Sequence, residues 1–251
     1  MDFCNKVVVI TGASGGIGAD AALTFAKHSA KLVLAARNES KLIDIASKCE
    51  KQKQIKPLII RADVSKGDDL RNIIAETIKT FGRIDVLVNN AGQGIKGNVL
   101  DGIELYDTAM NVNVRSAYLL TSLAAPYLAE SKGNVVNVSS VASLRPIKDI
   151  SFTAYCVSKA ALDQLTKCAA LDLSRKGIRV NSVNPGCTRS NFLESAGLDA
   201  KLVYGKRSEA LPLGKVVESD EVADLIVYLA SDRARSITGS VYVIDNGEML
   251  V

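Results

Sequence analysis

Histidine is nearly absent from the sequence, and its scarcity excludes two common kinds of catalytic centre. The 251 residues include one histidine, His28, in a helix-like stretch far from the other candidate chemistry. A Ser-His-Asp triad or a histidine-based metal site would have to be built around that one side chain. We therefore expect neither a hydrolase triad nor a metal centre.

Cysteine pairs with the spacing of metal or redox sites are also missing. The five cysteines are scattered, without a CxxC motif: Cys4, Cys49, Cys156, Cys168 and Cys187. An odd and unpaired set of this kind is typical of a protein in a reducing compartment. Cys156 and Cys187, which fall near the candidate site, are expected to be small packing residues.

Long apolar runs and clustered charges are absent as well. No run of about 18 or more uncharged apolar residues occurs, although a membrane-spanning helix requires one. The N-terminus MDFCNKVVVITG enters a strand without the basic leader of a signal peptide. The 31 basic and 27 acidic residues are interspersed and give no basic stripe for nucleic acid. A cytoplasmic protein without a nucleic-acid partner is expected.

Short β-branched runs alternate with longer amphipathic stretches along the whole chain. The composition, 47% hydrophobic and 23% charged, suffices for one large core, and no linker divides residues 1–251. Continuous apolar runs indicate strands covered on both faces. The pattern predicts a single α/β domain with a doubly wound, Rossmann-type parallel sheet of about seven strands. The expected strands are Lys6–Ile10, Leu32–Ala35, Pro57–Ile60, Val86–Val88, Asn134–Val138, Ile178–Val183 and Val241–Ile244.

One segment, residues 189–216, departs from this alternation. It has no clear strand and only broken helical periodicity. Long irregular segments inside compact domains are often functional. We interpret this one as a substrate-binding lid, with a simple surface excursion as the alternative.

A glycine-rich turn, TGASGGIG, follows the first expected strand and leads into a helix. Glycines allow a sharp turn and a close approach to a pyrophosphate, and the helix N-terminus offers free N–H groups to the anion. The turn therefore predicts a dinucleotide site. The residues expected to bind there are Thr11, Gly12, Ser14, Gly15, Gly16, Ile17 and Gly18.

The end of the second strand indicates which dinucleotide is bound. Sites that prefer NAD usually place a carboxylate there, against the ribose 2′-hydroxyl. This chain has Arg37 and Asn38 instead, and a guanidinium can hold a 2′-phosphate in fork geometry. NADP(H) is therefore expected, with NAD(H) as the less favoured alternative. A solvated arginine paired with Glu39 is the competing interpretation of this motif.

Tyr155 and Lys159 lie four residues apart at the start of an alanine- and leucine-rich helical stretch, so both point along one helix face. A neighbouring ammonium and a cationic nicotinamide would both lower the pKa of the phenol. We expect this pair to exchange a proton with substrate. A packing tyrosine beside a solvated lysine is the alternative.

Two further polar segments follow the fifth and sixth expected strands. Ser139 and Ser140 offer hydroxyls to a substrate oxygen, unless they satisfy their own backbone. Pro185, Gly186 and Thr188 either terminate the sixth strand or hold the carboxamide of a nicotinamide. Both segments are expected at the carboxyl edge of the sheet, where such folds bind ligands.

Taken in order, these motifs resemble the short-chain dehydrogenase/reductase family over nearly the whole chain. The glycine turn is similar to the family's cofactor loop, Asp63-Val64 to its adenine contact, and Asn89-Asn90-Ala91-Gly92 to the segment that lines the cofactor. The resemblance also identifies a catalytic set and further cofactor contacts. The catalytic set is Asn113, Ser140, Tyr155 and Lys159, and the further contacts are Asp63, Val64, Asn90, Ala91, Gly92, Tyr155, Lys159, Pro185, Gly186 and Thr188.

The resemblance implies a reaction between a nicotinamide and a carbonyl or alcohol. Tyr155 would give a proton to the carbonyl oxygen as hydride arrives, and Ser140 would hold that oxygen. Lys159 would bind the ribose hydroxyls and lower the pKa of the tyrosine, while Asn113 would keep a water that links the lysine to solvent. A homotetramer or homodimer acting on a small molecule is also implied.

Two positions depart from the family pattern. The segment from Ser140 to Tyr155 is slightly longer than usual, which leaves Ser139 as an alternative catalytic serine. Asn246 stands where the family often has a glycine. Neither departure removes a chemical group that the implied reaction needs.

The expected substrate is a lipophilic ketone or aldehyde of steroid, isoprenoid or quinone type. Apolar residues of the expected lid indicate it: Phe192, Leu193, Leu198, Leu202 and Val203. A 3-oxoacyl-thioester reductase is the first alternative, but the segment ESKG at 130–133 lacks an arginine for an acidic carrier protein. A non-catalytic dinucleotide-binding sensor or scaffold is the second, although such proteins usually lose the tyrosine or the lysine.

Overall fold

A parallel β-sheet forms the centre of the protein. The computed structural model describes residues 1–147 and 151–251, so Lys148, Asp149 and Ile150, from the segment between Ser140 and Tyr155, lie outside the described residues. The strands in chain order are β1 (Val7–Thr11), β2 (Lys31–Ala36), β3 (Leu58–Arg61), β4 (Val86–Asn89), β5 (Asn134–Val138), β6 (Arg179–Pro185), β7 (Thr188–Arg189), β8 (Val217–Glu218) and β9 (Val241–Ile244).

The large sheet has the order β3-β2-β1-β4-β5-β6-β9, and all neighbouring strands in it are parallel. The direction of progression reverses between β1 and β4, as in a doubly wound fold. The predicted single-domain Rossmann architecture is confirmed, and each predicted strand differs from the observed one by at most two residues at either end. A separate two-stranded sheet pairs β7 with β8 and was not predicted.

Helices cover both faces of the large sheet. They are α1 (Gly16–Lys27), α2 (Glu39–Lys53), α3 (Gly67–Phe81), α4 (Ile103–Met110), α5 (Ser116–Ser131), α6 (Thr153–Leu173), α7 (Phe192–Ser195), α8 (Ala200–Ala210) and α9 (Ser219–Ala230). Within residues 1–147 and 151–251, no helix has the length and apolar character needed to cross a membrane.

Strand β1 is apolar from Val7 to Ile10 because each face of the sheet has its own core. Val8 and Ile10 point into the cluster that packs under α1, α2 and α9. Val7 and Val9 point into the opposite cluster, under α3, α5 and α6. Successive side chains of a strand alternate between faces, so a strand buried on both sides favours apolar residues at every position.

Residues 189–216 are more helical than their periodicity indicates. They contain α7 and the eleven residues of α8, which is capped at its start by the Asp199 side chain. Only Tyr204 of α8 is buried, so the helix carries no continuous apolar stripe for a sequence pattern to display. The segment packs its own small core of Leu193, Tyr204, Leu211 and Val216. Its role as a lid stays a prediction.

Asn246 keeps the turn that the family usually builds with glycine. Its φ is 53°, in the left-handed region that asparagine tolerates better than most residues. Its side-chain amide donates to the carbonyl of Lys215 at 2.9 Å. The substitution therefore preserves the turn and ties it to the end of the 189–216 segment.

Phe25 tests the first of the two cores. It is fully buried in α1 and meets Phe3 edge to face, with ring centroids 4.9 Å apart. We expect Phe25→Ala to lower the free energy of unfolding by about 3–5 kcal/mol, because it removes buried area and leaves a cavity. Urea denaturation checks this value. Leu171→Ala, at a position that is 76% exposed, should stay within about 0.5 kcal/mol of wild type, and an equal loss in both variants would contradict the assignment of this core.

Candidate active site

A cavity of about 440 Å³ opens at the carboxyl ends of the central strands. Its position coincides with the reversal between β1 and β4, where doubly wound sheets bind ligands. Most of the predicted site residues meet there. Those that line it are Gly12, Ser14, Gly15, Gly16, Ile17, Arg37, Asn38, Asp63, Val64, Asn90, Ala91, Gly92, Ser140, Tyr155, Lys159, Pro185, Gly186 and Thr188.

Thr11 and Gly18, also predicted to bind the cofactor, lie behind the cavity wall and shape it. The Thr11 hydroxyl accepts hydrogen bonds from the backbone N–H groups of Asn90, at 3.1 Å, and Ala91, at 3.0 Å. A Cβ at Gly18 would lie 2.4 Å from the Asn90 amide nitrogen and 2.5 Å from the Gly12 carbonyl oxygen. Both residues therefore join the glycine turn to the loop after β4.

The N-terminus of α1 forms the floor of one half of the cavity and fits an anion. Its N-cap is Gly15, no side chain caps it, and its first turn contains no acidic residue. The first N–H groups of a helix have no partner within the helix, and the helix dipole favours negative charge there. This arrangement fits a pyrophosphate, as the sequence predicts.

The end of β2 offers hydrogen-bond donors to the same cavity. The Asn38 side-chain oxygen is occupied, because it caps α2 by accepting from the Lys41 N–H at 3.0 Å. Asn38 and the exposed Arg37 line the cavity at this strand end. Among residues 1–147 and 151–251, no ion pair joins Arg37 to Glu39.

Asp63 follows β3 and stands across from Arg37. Hydrogen bonds from the backbone N–H and the hydroxyl of Ser65, together with the charge of Arg37, lower the pKa of Asp63, although burial opposes this effect. Its own N–H donates to the Asp69 carboxylate at 2.7 Å. The Asp63-Val64 segment is thus fixed at the rim of the cavity, where an adenine contact is predicted.

Helix α6 carries Tyr155 and Lys159, which lie in the half of the cavity away from the start of α1. Tyr155 and Lys159 are 6% and 4% exposed. The Lys159 ammonium donates to the Val138 carbonyl at 2.8 Å and lies 5.7 Å from the centre of the Tyr155 ring. The end of β5 therefore holds the lysine one helical turn from the phenol, as the spacing predicts.

Burial dominates the acidity of both groups. It raises the pKa of Tyr155 to about 12, and a hydrogen bond with the Ser140 side chain opposes that rise only in part. It lowers the pKa of Lys159 to about 8, against the charge of Asp163. Desolvation of the phenolate is thus the dominant effect in the protein chain alone, and the expectation that Lys159 lowers the pKa of the tyrosine stays a prediction.

The geometry distinguishes the two candidate serines. The Ser140 hydroxyl lines the cavity together with Tyr155, although it also accepts the Ala142 N–H at 3.1 Å and lies 3.5 Å from the Pro185 carbonyl. The Ser139 hydroxyl instead donates to the Lys159 carbonyl in α6, at 3.2 Å, and is buried. Ser140, rather than Ser139, is placed to contact a substrate oxygen.

Asn113 is buried behind the lysine, in a π-helical segment (Asn111–Arg115) between α4 and α5. Its side chain accepts from the Gln93 N–H at 2.8 Å and donates to the Ser158 hydroxyl at 2.9 Å. A Cβ added at Gly92 would lie 3.4 Å from the Asn113 side-chain oxygen and 3.3 Å from the Lys159 nitrogen. The side chain is thus fully engaged, and its role in holding a water stays a prediction.

The remaining wall is apolar and was only partly anticipated. Phe152, Tyr155 and Phe192 form a triangle with ring centroids 5.2–6.1 Å apart. Phe192 reaches the site because Gly94 leaves room for it: a Cβ there would lie 2.4 Å from the Phe192 ring. Phe192 was expected from the lid, whereas Phe152 was missed, although an aromatic residue just before the helix of Tyr155 was a usable signal.

Glu248 is a lining residue that no sequence pattern reveals. It follows β9, and its carboxylate accepts the Cys187 N–H at 2.8 Å, with the guanidinium groups of Arg145 and Arg207 at 3.7 and 3.9 Å. Burial raises the pKa of Cys187 to about 11, which agrees with a packing role for that thiol. Glu248 reaches the cavity only because the chain turns back toward it after β9, the edge strand of the sheet.

Comparisons with known proteins agree with this geometry. A family model described as Enoyl-(Acyl carrier protein) reductase matches residues 12–248. An uncharacterized oxidoreductase of Thermotoga maritima is 38% identical over 256 residues, with all of both chains covered. The crystal structure of a short-chain dehydrogenase/reductase of unknown function from Caenorhabditis elegans, with cofactor, has a TM-score of 0.93 and 35% identity, covering 99% of this chain and 97% of that chain.

Two similar structures contain named nicotinamide cofactors. L-Sorbose reductase from Gluconobacter frateurii, complexed with NADPH and L-sorbose, has a TM-score of 0.92 and 28% identity, covering 100% of this chain and 99% of that chain. A 7α-hydroxysteroid dehydrogenase complexed with NADH and a 7-oxo bile acid conjugate has a TM-score of 0.91 and 27% identity, covering 98% and 95%. Structures similar to this chain thus include complexes with NADPH and with NADH.

The low pKa of Lys159 predicts a specific pH dependence of stability. Between about 8 and 10.5, the folded state binds fewer protons at this lysine than the unfolded state does. The free energy of unfolding contributed by Lys159 therefore rises with pH across this window. Urea denaturation of wild type and Lys159→Met at pH values on both sides of the window checks this sign.

Lys167→Met is the matched control, since Lys167 is exposed on the same helix. The difference between wild type and Lys167→Met should stay flat over the same pH range. A flat difference for Lys159→Met as well would contradict the effect of burial on the lysine.

Proposed function

The chain belongs to the short-chain dehydrogenase/reductase family, and we propose that it is an NADP(H)-dependent oxidoreductase acting on a lipophilic ketone or aldehyde, or on the matching secondary alcohol. The oxidoreductase class follows from the family and from the named relatives. The observation that supports the proposal best is the meeting of Ser140, Tyr155 and Lys159 at one cavity, with Lys159 held by the Val138 carbonyl one helical turn from Tyr155.

The chain's own residues account for the proton part of the reaction. The nicotinamide, when bound, supplies or accepts the hydride. The Ser140 hydroxyl holds the substrate oxygen, and the Tyr155 hydroxyl gives that oxygen its proton during reduction or takes it back during oxidation. Lys159, whose pKa is about 8, keeps its charge at neutral pH and supports the phenolate that reduction leaves behind.

The walls of the cavity divide into contacts for the parts of the dinucleotide. The free N–H groups at the start of α1 suit the pyrophosphate, and the Asp63-Val64 rim suits the adenine. The loop after β4 would line the middle of the cofactor, and the loop after β6 would hold the carboxamide. The residues in these two loops are Asn90, Ala91, Gly92, Pro185, Gly186 and Thr188.

The preference for NADP(H) rests on this chain's own residues, because similar structures hold NADPH or NADH. Arg37 presents an exposed guanidinium and Asn38 an uncommitted amide group, at the strand end where NAD-preferring sites place a carboxylate. The charge of a 2′-phosphate would pair with Arg37 in bidentate geometry. NAD(H) remains the less favoured alternative.

The preference for a lipophilic substrate rests on the wall opposite the cofactor loop. Beside the aromatic triangle, Ala142, Ile147 and Leu193 line the cavity. Such a wall gains free energy from apolar contact, although polar residues from the 189–216 segment, Ser190, Asn191 and Ser195, line the same cavity. The 3-oxoacyl-thioester and sensor alternatives are kept as outcomes of the experiment below. A cytoplasmic location and a homotetramer or homodimer stay predictions.

A substrate panel tests the proposed activity. Purified protein is mixed with NADPH and, separately, menadione, citral, progesterone, L-sorbose, acetoacetyl-CoA or crotonyl-CoA, and cofactor absorbance is followed. We expect consumption with at least one of the first three, and a loss of about 100- to 10,000-fold in kcat for Tyr155→Phe, because the proton donor is removed.

The other results of the panel are equally informative. Turnover of L-sorbose alone would contradict the lipophilic wall, and turnover of a thioester alone would favour the acyl-thioester alternative. NADPH binding without turnover of any carbonyl would favour the sensor. Tyr118→Phe, at an exposed tyrosine, is the matched control and should retain wild-type kcat.

Arg37 tests the choice of cofactor. We expect Arg37→Ala to weaken NADPH binding by about 10- to 100-fold, because a charge-assisted hydrogen bond pair is lost, while NADH binding changes little. Fluorescence titration with each cofactor measures both dissociation constants. Arg175→Ala, an exposed arginine at the opposite edge of the sheet, should change neither, and an equal loss for NADPH and NADH at Arg37→Ala would contradict a 2′-phosphate contact.

A further inference from the structure

We propose that Asp163 is a positioning residue for this reaction, which holds the loop that carries Ser140 through a buried hydrogen-bond network. Asp163 lies on α6, one turn beyond Lys159, and is 6% exposed. The inference rests on the proposed function, because it assigns the network a role in holding a catalytic hydroxyl. It assigns Asp163 no contact with substrate or cofactor.

A buried carboxyl group needs hydrogen-bond partners that replace the water it has lost. Within the described ranges, the carboxylate of Asp163 accepts hydrogen bonds from neutral groups alone. The Asn184 amide donates at 2.7 Å and the Ser143 hydroxyl donates as well, while the Ser182 hydroxyl lies 3.0 Å from the carboxylate. Ser182 and Asn184 belong to β6 and Ser143 to the turn after β5, so one carboxylate joins three parts of the fold.

The same two donors also contact Ser140. The Asn184 amide, which has a second N–H, donates to the Ser140 carbonyl at 3.0 Å, and the Ser143 hydroxyl lies 2.7 Å from the same oxygen and can give its one proton to either acceptor. Both groups therefore stand between Asp163 and the backbone of Ser140. With its carbonyl fixed on this side, Ser140 lines the same cavity as Tyr155.

The orientation of Asn184 is itself fixed by the network. Its side-chain oxygen accepts from the Ser182 hydroxyl at 2.6 Å, so its amide group must face Asp163 and Ser140. Removing the Asp163 carboxylate leaves that amide and the Ser143 hydroxyl without their acceptor. The loop can then move so that these donors reach other acceptors, and Ser140 moves with it.

An asparagine at 163 can keep most of this network. Its side-chain oxygen can face the Asn184 amide, and its amide group can donate to the Ser182 hydroxyl, which then donates to Asn184. An alanine can do neither. The pair Asp163→Asn and Asp163→Ala therefore separates hydrogen bonding from bulk removal, and Asp172→Asn, at an exposed carboxylate on the same helix, is the control.

The experiment measures kcat, KM and the NADPH dissociation constant of each variant with the best carbonyl of the panel. We expect Asp163→Ala to lower kcat by roughly 10- to 100-fold with little change in NADPH binding, because the catalytic hydroxyl is displaced by a fraction of an ångström to an ångström. Asp163→Asn should stay within about threefold of wild type. An Asp163→Asn variant as slow as Asp163→Ala would overturn positioning by hydrogen bonds.

A double-mutant cycle distinguishes positioning from general stability. If Asp163 acts through Ser140, then adding Asp163→Ala to Ser140→Ala lowers kcat no further. A full additional loss would show a merely structural role. Wild type and Asp172→Asn must turn over the carbonyl in the same assay, so inactivity of these two proteins counts against the proposed function itself and not against the network alone.

Crystal structures of the variants show the position of the Ser140 hydroxyl directly, without depending on residual turnover. In Asp163→Ala, the Ser140 hydroxyl should move away from the Tyr155 hydroxyl, and an unmoved serine would overturn the proposal. If Asp163→Ala does not fold, Ser143→Ala is the smaller change, since it removes one of the two groups that join Asp163 to the Ser140 carbonyl. It should lower kcat in the same direction and move the same hydroxyl.

Discussion

The structure depends on one buried polar face of α6. Tyr155, Lys159 and Asp163 follow one another at intervals of four residues, so a phenol, an ammonium and a carboxylate lie on the same side of the helix, and all three are almost completely buried. Groups of this kind are costly to bury unless their partners are fixed. The carboxyl ends of β5 and β6 provide those partners, through the Val138 carbonyl and the Asn184 amide.

The parallel sheet is what allows so many partners to meet at one place. Its strands all end at the same edge, so the loops after β1, β4, β5 and β6 approach α6 and each other without a long irregular connection. The common strand direction consequently brings together the glycine turn, the loop after β4, Ser140 and the loop after β6. The same geometry explains why the catalytic half and the dinucleotide half share one cavity.

Much of the fold and half of the site could be predicted from sequence, because local patterns encode them. Continuous apolar runs mark the strands, a glycine turn marks the start of α1, and a spacing of four marks the Tyr155–Lys159 pair. The Asp163 network could not be found in this way, since its members are joined by tertiary contacts between residues about 20 positions apart or more. The raised pKa of Tyr155 could not be predicted from sequence for a related reason, since desolvation depends on all the residues packed around the ring.

The packing around Tyr155 links the 189–216 segment to the environment of the phenol. Phe192 lies 5.2 Å from the Tyr155 ring, measured between centroids, and Phe152 lies 5.8 Å away. These rings exclude water from the phenol and so contribute to the burial that raises its pKa to about 12. A phenol is protonated at neutral pH even with its ordinary pKa, so this burial reinforces the form that can donate a proton to a carbonyl. Phe192 can take this position because Gly94 has no side chain, so a glycine far from α6 in sequence helps to keep water away from the central tyrosine.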